Sequence, residues 1–554
     1  MRKALKITIG FILTLVMILS STSAAFAKDD VTPVVVIHGI GGTQLYKDIG
    51  TENETTAAAF DISSIFSTYN SLLKKVMTSA TGEKIDASAL IDEIAEVMND
   101  FADIACDKNG NPAYNVGIKD YWTDSLANHK DYIDGRGSAE PAIANQVSDI
   151  VGPENVYLFR YDWRLDACEN AKILNSLIDN IKAETGKSKV TIVSCSEGTV
   201  VASAYIDQYM YKNDIAKTVF VNGAFNGVSI CNLFAKDVYI DKDTLLNYFW
   251  NLLHELNNPS FDLKQLAFLS TTLDDAVGNL CQLLNEVKNT PELFNKLYND
   301  VLYPVFGCIP IYWEFIPYDY FDKAVYEMSS IGFLDKSGAL YSKLQKYHQV
   351  QGRLESNLKT LKSKGVEVAV VANYGIPTVP MTSLHKAQAD VLIETKYASV
   401  GATVADYGET LNKTGKYISD DKIIDASTCA LPDSTWFVKG IQHMDFWYNS
   451  EACQFLAALI TTNTSLDIDS IQNETGVGQF IGTDSQQKIV NVTKSGSTAG
   501  LLNASNISTT AKAEKKSPPT GSGDILVAGF VSFIVTLTSM TTVLYFKRKK
   551  LNSK

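Results

Sequence analysis

Ser194-Cys195-Ser196-Glu197-Gly198 joins an apolar run, Val190-Thr191-Ile192-Val193, to the small and apolar stretch Thr199-Val200-Val201-Ala202-Ser203-Ala204. A strand, a sharp turn and a helix in that order can hold a serine hydroxyl exposed above a sheet. The turn crowds the backbone, so the positions two before and two after the serine must be small. Ser194 and Gly198 satisfy this. A serine so held is a nucleophile only if a base takes its proton and a third group orients the base.

Where the nucleophile sits on such a turn, the acid and then the histidine follow it in the chain. His38 and His129 precede Ser196, and His254 and His348 fall within a long helical interruption. His385 follows the strand candidate Val366–Val371 too closely for an intervening acid loop and strand. His443 remains, in Gly440-Ile441-Gln442-His443-Met444, just after the strand candidate Trp436-Phe437-Val438. Asp421, in Asp421-Lys422-Ile423-Ile424, is the expected orienting acid, with Asp406 as runner-up and Asp420 and Asp425 as neighbours. These parts imply acyl transfer: His443 deprotonates Ser196 as it attacks a carbonyl, and Asp421 stabilises the imidazolium. The oxyanion then needs backbone donors. The amide of Glu197 is one, and Ile40 or Gly39, in the loop His38-Gly39-Ile40-Gly41-Gly42, supplies the other. The Glu197 side chain is unexpected beside a developing negative charge.

The elements that must position these residues alternate. Thr32–Ile37, Val156–Phe159, Val190–Val193, Lys217–Val221, Val366–Val371 and Trp436–Val438 read as buried strands, with helical patterns between them such as Cys168–Ala183. Such alternation implies a mostly parallel sheet covered on both faces. Helical insertions are expected at about 46–115 and 229–347. The second is rich in aromatics and stands where a cap or lid would sit. After about Thr462 the composition turns to Ser, Thr, Asn, Gly and Gln, so residues 462–516 read as a polar spacer. The catalytic domain is thus expected over 28–461.

Both ends carry targeting patterns. Residues 1–27 have a basic start, a short apolar core and Ala25-Phe26-Ala27, which together describe a secretory signal peptide. Residues 525–546 are apolar and long enough to span a bilayer, with Lys547-Arg548-Lys549-Lys550 behind them. Ser517-Pro518-Pro519-Thr520-Gly521 stands before that span, so 517–554 resembles a sortase sorting signal with cleavage between Thr520 and Gly521. Sortase and peptidoglycan are then partners, membrane contact comes through the C-terminal helix at least before sorting, and the location is extracellular, anchored to the cell wall or, as the alternative, to the membrane of a Gram-positive cell. A net charge of −13 argues against nucleic acid. The eight cysteines are scattered without a Cys-x-x-Cys pair, which indicates neither a zinc site nor a small disulfide scaffold. Nothing in the sequence calls for a metal or organic cofactor.

Taken together, the chain resembles the lecithin:cholesterol acyltransferase-like family of α/β-hydrolases. The resemblance rests on Pro33–Leu45 with its His38-Gly39-Ile40-Gly41-Gly42 loop, on Tyr161-Asp162-Trp163-Arg164, on Pro310–Pro317 and on Gly440-Ile441-Gln442-His443. It covers about residues 33–457, patchily in the insertions. It implies the α/β-hydrolase fold with helical cap or lid insertions. It also implies a serine acyl hydrolase or acyltransferase acting on lipid esters, with phospholipids the leading class. The elbow departs from the family's Gly-His-Ser-x-Gly, and Asp420-Asp421-Lys422 departs from its Gly-Asp-Gly. An esterase of wall or host glycans with the same triad, or a wall-displayed binding protein that has lost catalysis, are the competing readings.

Overall fold

The computed structural model describes residues 31–57, 86–99, 101–130, 142–255, 263–443, 445–484, 488–492 and 498–500. The signal peptide, Thr520 and Gly521 of the sorting motif, and the 525–546 span lie outside the described residues. No helix among the described residues is long and apolar enough to cross a membrane.

The runs of Val, Ile and Phe form the strands of one mixed, mostly parallel sheet. Its members are β1 (Val34–Ile37), β2 (Val156–Phe159), β3 (Val190–Ser196), β4 (Ile215–Gly223), β5 (Glu367–Tyr374), β6 (Thr435–Lys439), β7 (Phe480–Thr483), β8 (Ile489–Val492) and β9 (Thr498–Gly500). The order across the sheet is β9-β8-β7-β6-β5-β4-β3-β1-β2. All neighbours from β7 to β2 run parallel, and β8 and β9 add antiparallel pairs at one edge.

Successive side chains of a strand face opposite sides of the sheet, and here each side is covered. Val35, Ile37, Tyr157, Phe159, Ile192 and Phe220 belong to one core, shared with α3 (Ala167–Thr185), α4 (Gly198–Tyr209) and α7 (Ala339–Ser363). Val34, Val36, Leu158, Val193, Val219 and Val438 belong to the other, shared with α2 (Ala142–Val151), α8 (Ser450–Thr461) and α9 (Ile468–Thr475). Local chemistry sets the helix ends. Asp166 caps α3 by accepting from the amides of Cys168 and Glu169, and Gly186 ends it in a left-handed conformation. Lys217, buried on β4, donates to the carbonyls of Leu459, Ile460 and Thr462 and so closes the C-terminus of α8.

Two expectations change. The first insertion is not helical throughout: Tyr46–Lys47, Thr55–Thr56 and Val116–Gly117 pair as a small antiparallel sheet, and among the described residues one α-helix, α1 (Ala87–Asn99), and a 3₁₀ turn at Ala102–Ile104 stand between them. The supposed spacer is folded over much of its length. Leu466, Ile468, Ile471, Val477 and Ile481 are buried in the second core, and β7 pairs with β6 in parallel register from Phe437↔Phe480 to Lys439↔Gly482. Few apolar residues suffice there because they fall on one face of α9 and on alternate strand positions.

Between β4 and β5 the chain is largely helical, as expected. It includes α5 (Lys242–Glu255) and α6 (Leu263–Asn289), a π-helical turn at Leu297–Leu302 and a short helix at Pro310–Glu314. Its last helix, α7, lies against α4 and belongs to the sheet-covering layer.

Candidate active site

Ser196 ends β3, flanked by β1 and β4, at the C-terminal edge of the parallel strands. Open parallel sheets place their ligands at that edge. Its φ is +50°, a left-handed conformation that costs a non-glycine residue energy and turns the side chain out of the strand. The turn is held by the Ser196 carbonyl, which accepts from the Thr199 hydroxyl at 2.6 Å and the Ala224 amide at 3.1 Å.

The glycines around it are required by contact. A Cβ on Gly198 would stand 2.3 Å from the Ile37 carbonyl oxygen, because α4 begins against the end of β1. A Cβ on Gly39 would stand 2.8 Å from the Ser196 Cβ and 3.2 Å from its Oγ. The loop after β1 therefore passes directly over the serine.

That loop is fixed by hydrogen bonds that sequence reading missed. The Gly39 carbonyl accepts from His38 Nδ1 at 2.7 Å and from the Gly42 amide at 3.1 Å. A trans peptide points its N–H opposite its C=O, so these bonds set the direction of the Ile40 amide. Because Nδ1 donates, Nε2 of the neutral ring accepts from the Thr43 hydroxyl at 2.5 Å. Burial drives the His38 pKa down to about 3, which keeps the ring in that state. Tyr161 stacks on the imidazole and donates its hydroxyl to the His38 carbonyl at 2.7 Å. Arg164 pairs with Asp162 through both carboxylate oxygens and donates to the carbonyls of Ile104 and Val116. The Tyr161–Arg164 segment thus supports the loop and ties the first insertion to the sheet.

His443 is buried, and its acid is not the one expected. Its Nδ1 lies 2.6 Å from Asp390 Oδ2, and its amide donates to the Asp390 carbonyl at 2.9 Å. Asp390 is fully enclosed, and its Oδ1 accepts from the amides of Leu392 and Ile393. A carboxylate only accepts, so Nδ1 carries the proton and Nε2 is the nitrogen that can act as base.

Asp421 is elsewhere. It accepts from Lys439 Nζ at 2.8 Å, the Tyr374 hydroxyl at 3.1 Å and Ser419 Oγ at 2.6 Å, and these partners hold its pKa low against the upward pull of burial. Asp406 and Asp420 are exposed, and Asp425 pairs with Lys413 and caps a turn. None of the four reaches the imidazole. One signal could have found Asp390: it is the first carboxylate after β5, which is where an acid preceding β6 and His443 belongs.

Two asparagines connect the parts. Asn222, at the end of β4 with a φ of +46°, accepts the Asn373 amide at 2.9 Å. Asn373 donates its side-chain N–H to the Ile441 carbonyl, and its own carbonyl accepts from Thr395 Oγ1. The histidine loop and the Asp390 turn are thereby anchored to the same strand end.

Glu197 lies inward, fully enclosed, with neither carboxyl oxygen hydrogen-bonded among the described residues. Burial, and then the neighbouring Glu314 carboxyl, push its pKa far above the usual carboxylate range. The Tyr161 hydroxyl adjoins it and opposes this shift, but donates its hydrogen to the His38 carbonyl. The shift favours the neutral acid over the carboxylate, which lessens the apparent conflict with the expected oxyanion. Cys195 beside it is packed into the second core. Pro310–Pro317 packs beneath this region, and Glu314 accepts the Ala167 amide at 3.1 Å. Among the described residues, no three His, Cys, Asp or Glu side chains are grouped to hold a metal ion.

No family model and no curated protein matches the chain. Among solved structures, a chain of the crystal structure of the Tle4-Tli4 complex aligns over 78% of this chain and 98% of its own length, at 11% identity. Its TM-score of 0.27 is too low to carry an argument about fold or function.

Proposed function

We propose that this chain is a serine acyl hydrolase or acyltransferase of the α/β-hydrolase type, acting on lipid esters. The observation that carries the reading is the buried Asp390–His443 pair at the same sheet edge as a strained, glycine-framed Ser196. Ser196 Oγ attacks the ester carbonyl while His443 Nε2 takes its proton, and Asp390 stabilises the imidazolium so formed. The amides of Ile40 and Glu197 face the tetrahedral oxygen. The imidazolium returns its proton to the leaving alcohol. Water, or an acceptor alcohol, then releases the acyl group by the same steps in reverse.

Lipid esters are favoured over glycan esters by the apolar helical insertion between β4 and β5 and by the resemblance to the lecithin:cholesterol acyltransferase-like family. The terminal segments support secretion and display on the surface of a Gram-positive cell, with sortase and peptidoglycan as partners.

The test is fluorophosphonate labelling of the purified full chain beside Ser196→Ala and His443→Ala. Labelling of the wild type that both substitutions abolish supports the proposal. A folded wild-type protein that takes no label overturns it in favour of a binding protein.

A further inference from the structure

The turn that carries Asp390 is strained. Val391 has a φ of +88°, in the left-handed region, which crowds a β-branched side chain and persists only where the surroundings over-determine it. Asp390 supplies one constraint, since its Oδ1 accepts from the amides of Leu392 and Ile393. The turn is closed by the antiparallel pairing of Ala389 with Glu394.

Glu394 supplies a second constraint, from outside the turn. Its side chain is buried. Oε2 accepts from the Ser229 amide at 3.0 Å, and Oε1 accepts from the hydroxyls of Ser229 and of Thr378, the latter at 2.5 Å. Ser229 is itself fully enclosed and opens the 3₁₀ helix Ser229–Ala235, the first element of the helical insertion. The chain just before it is pinned in turn. The Val228 amide donates to the Phe315 carbonyl at 2.8 Å, and a Cβ on Gly227 would stand 2.6 Å from the Pro317 Cα. The entry of the insertion and the Asp390 turn thus meet at one buried carboxyl group.

We propose that Glu394 is a positioning residue, which acts through Asp390 by holding the strained turn against the entry of the helical insertion. The inference rests on Asp390 and His443 being the acid and base of the proposed reaction. Without the Ser229 and Thr378 donors the Val391 conformation relaxes and Asp390 withdraws from His443 Nδ1. A displacement of about 1 Å suffices to slow the reaction about 10²-fold. Glutamine keeps the connection: its oxygen accepts the Ser229 amide, and its NH2 faces two hydroxyls that rotate to accept.

The test is the rate of fluorophosphonate labelling of the full chain for Ser229→Ala, Glu394→Ala and Glu394→Gln, each also combined with Asp390→Asn, with thermal unfolding as the control for folding. Glu394→Ala should slow labelling about 10²-fold and Ser229→Ala, which keeps its amide, about tenfold, while Glu394→Gln stays within about threefold of wild type. In the Asp390→Asn background the same substitutions should cost less than about twofold further, because the residue they act through is already disabled. An undiminished further loss in that background overturns the proposal, as does a Glu394→Gln rate that falls as far as that of Glu394→Ala. If Glu394→Ala fails to fold, Ser229→Ala carries the comparison, and an unchanged rate for it overturns the proposal. A folded wild type that takes no label sinks the serine-hydrolase reading and this inference together. Any of the other failures, with the wild type labelled, leaves that reading standing.

Discussion

Replacing Asp390 with asparagine separates the acid that the structure assigns from the one expected in the sequence. The structure dictates how the amide will sit. Oδ1 of Asp390 accepts two backbone N–H groups, from Leu392 and Ile393, so the asparagine oxygen must stay there and its NH2 must face His443 Nδ1. Nδ1 is then forced to accept, and the ring proton moves to Nε2, where it blocks proton uptake from Ser196. The substitution also removes the charge that stabilises the imidazolium, about 4 kcal/mol for charges 4 Å apart at an effective dielectric of 20. Together these predict a fall in kcat of about 10³–10⁴, the size of the same change in a serine protease triad. Asp421→Asn, which loosens the Lys439 pair at a partly exposed site, should cost about 1 kcal/mol of stability and change kcat less than twofold. Hydrolysis of p-nitrophenyl butyrate by both variants, with thermal unfolding as the control, measures the contrast. If Asp390→Asn stays within tenfold of wild type while Asp421→Asn collapses, the assignment is wrong.

Gly39→Ala brings a methyl group within 2.8 Å of the Ser196 Cβ, so fluorophosphonate labelling of the folded protein should slow about 10²-fold and the melting temperature should fall; an unchanged labelling rate would mean the loop does not frame the serine. Glu197 has a folded pKa raised above its unfolded value, so its contribution to stability is full below about pH 4.5 and is lost as pH rises toward the folded pKa. Glu197→Gln should therefore gain stability over wild type in urea at pH 8 but not at pH 4, and an equal difference at the two pH values would refute a neutral acid. His38 has the opposite character: with a folded pKa near 3, its contribution is present above about pH 6.5 and is lost as pH falls toward 3, at about 1.4 kcal/mol per pH unit. His38→Phe keeps the stack on Tyr161 and should flatten the acid limb of the stability curve; a limb of unchanged slope would place the effect on other groups.

The strands from β1 to β6 were legible because each is a short, continuous apolar run bounded by polar turns. Val156–Phe159 matches to the residue, and the helix expected at Cys168–Ala183 is observed at Ala167–Thr185. Strands β7 to β9 were not legible: Phe480-Ile481-Gly482-Thr483 and Ile489-Val490-Asn491-Val492 are brief, and the polar residues around them dominate the composition. Of the site, Ser196 and the glycine loop are marked by local motifs, and His443 by chain order, which sets aside the other five histidines. Asp390 has no motif of its own: its place as the first carboxylate after β5 nominates it, but the enclosure and two backbone donors that set it apart from Asp421 are supplied only by the folded chain. The Asn222–Asn373–Ile441 connection joins three separate strand ends, and no local pattern marks it.

The parallel pairing of β7 with β6 bears on where this chain can be cut. A fragment ending at Thr461, where the polar composition begins, loses α9 and β7 and leaves Thr435–Lys439 as an open margin of the sheet. That strand carries Trp436, Phe437 and Val438, all buried, and its peptide groups would face solvent as a template for another chain. The cut also removes the Thr462 carbonyl from the Lys217 ammonium, loosening α8 on the same side. His443 follows that margin by four residues, so self-association there would crowd the Asp390–His443 pair. Polar composition and dispensability are different properties, and in this protein a polar C-terminal strand completes the pairing of the sheet strand that leads to His443.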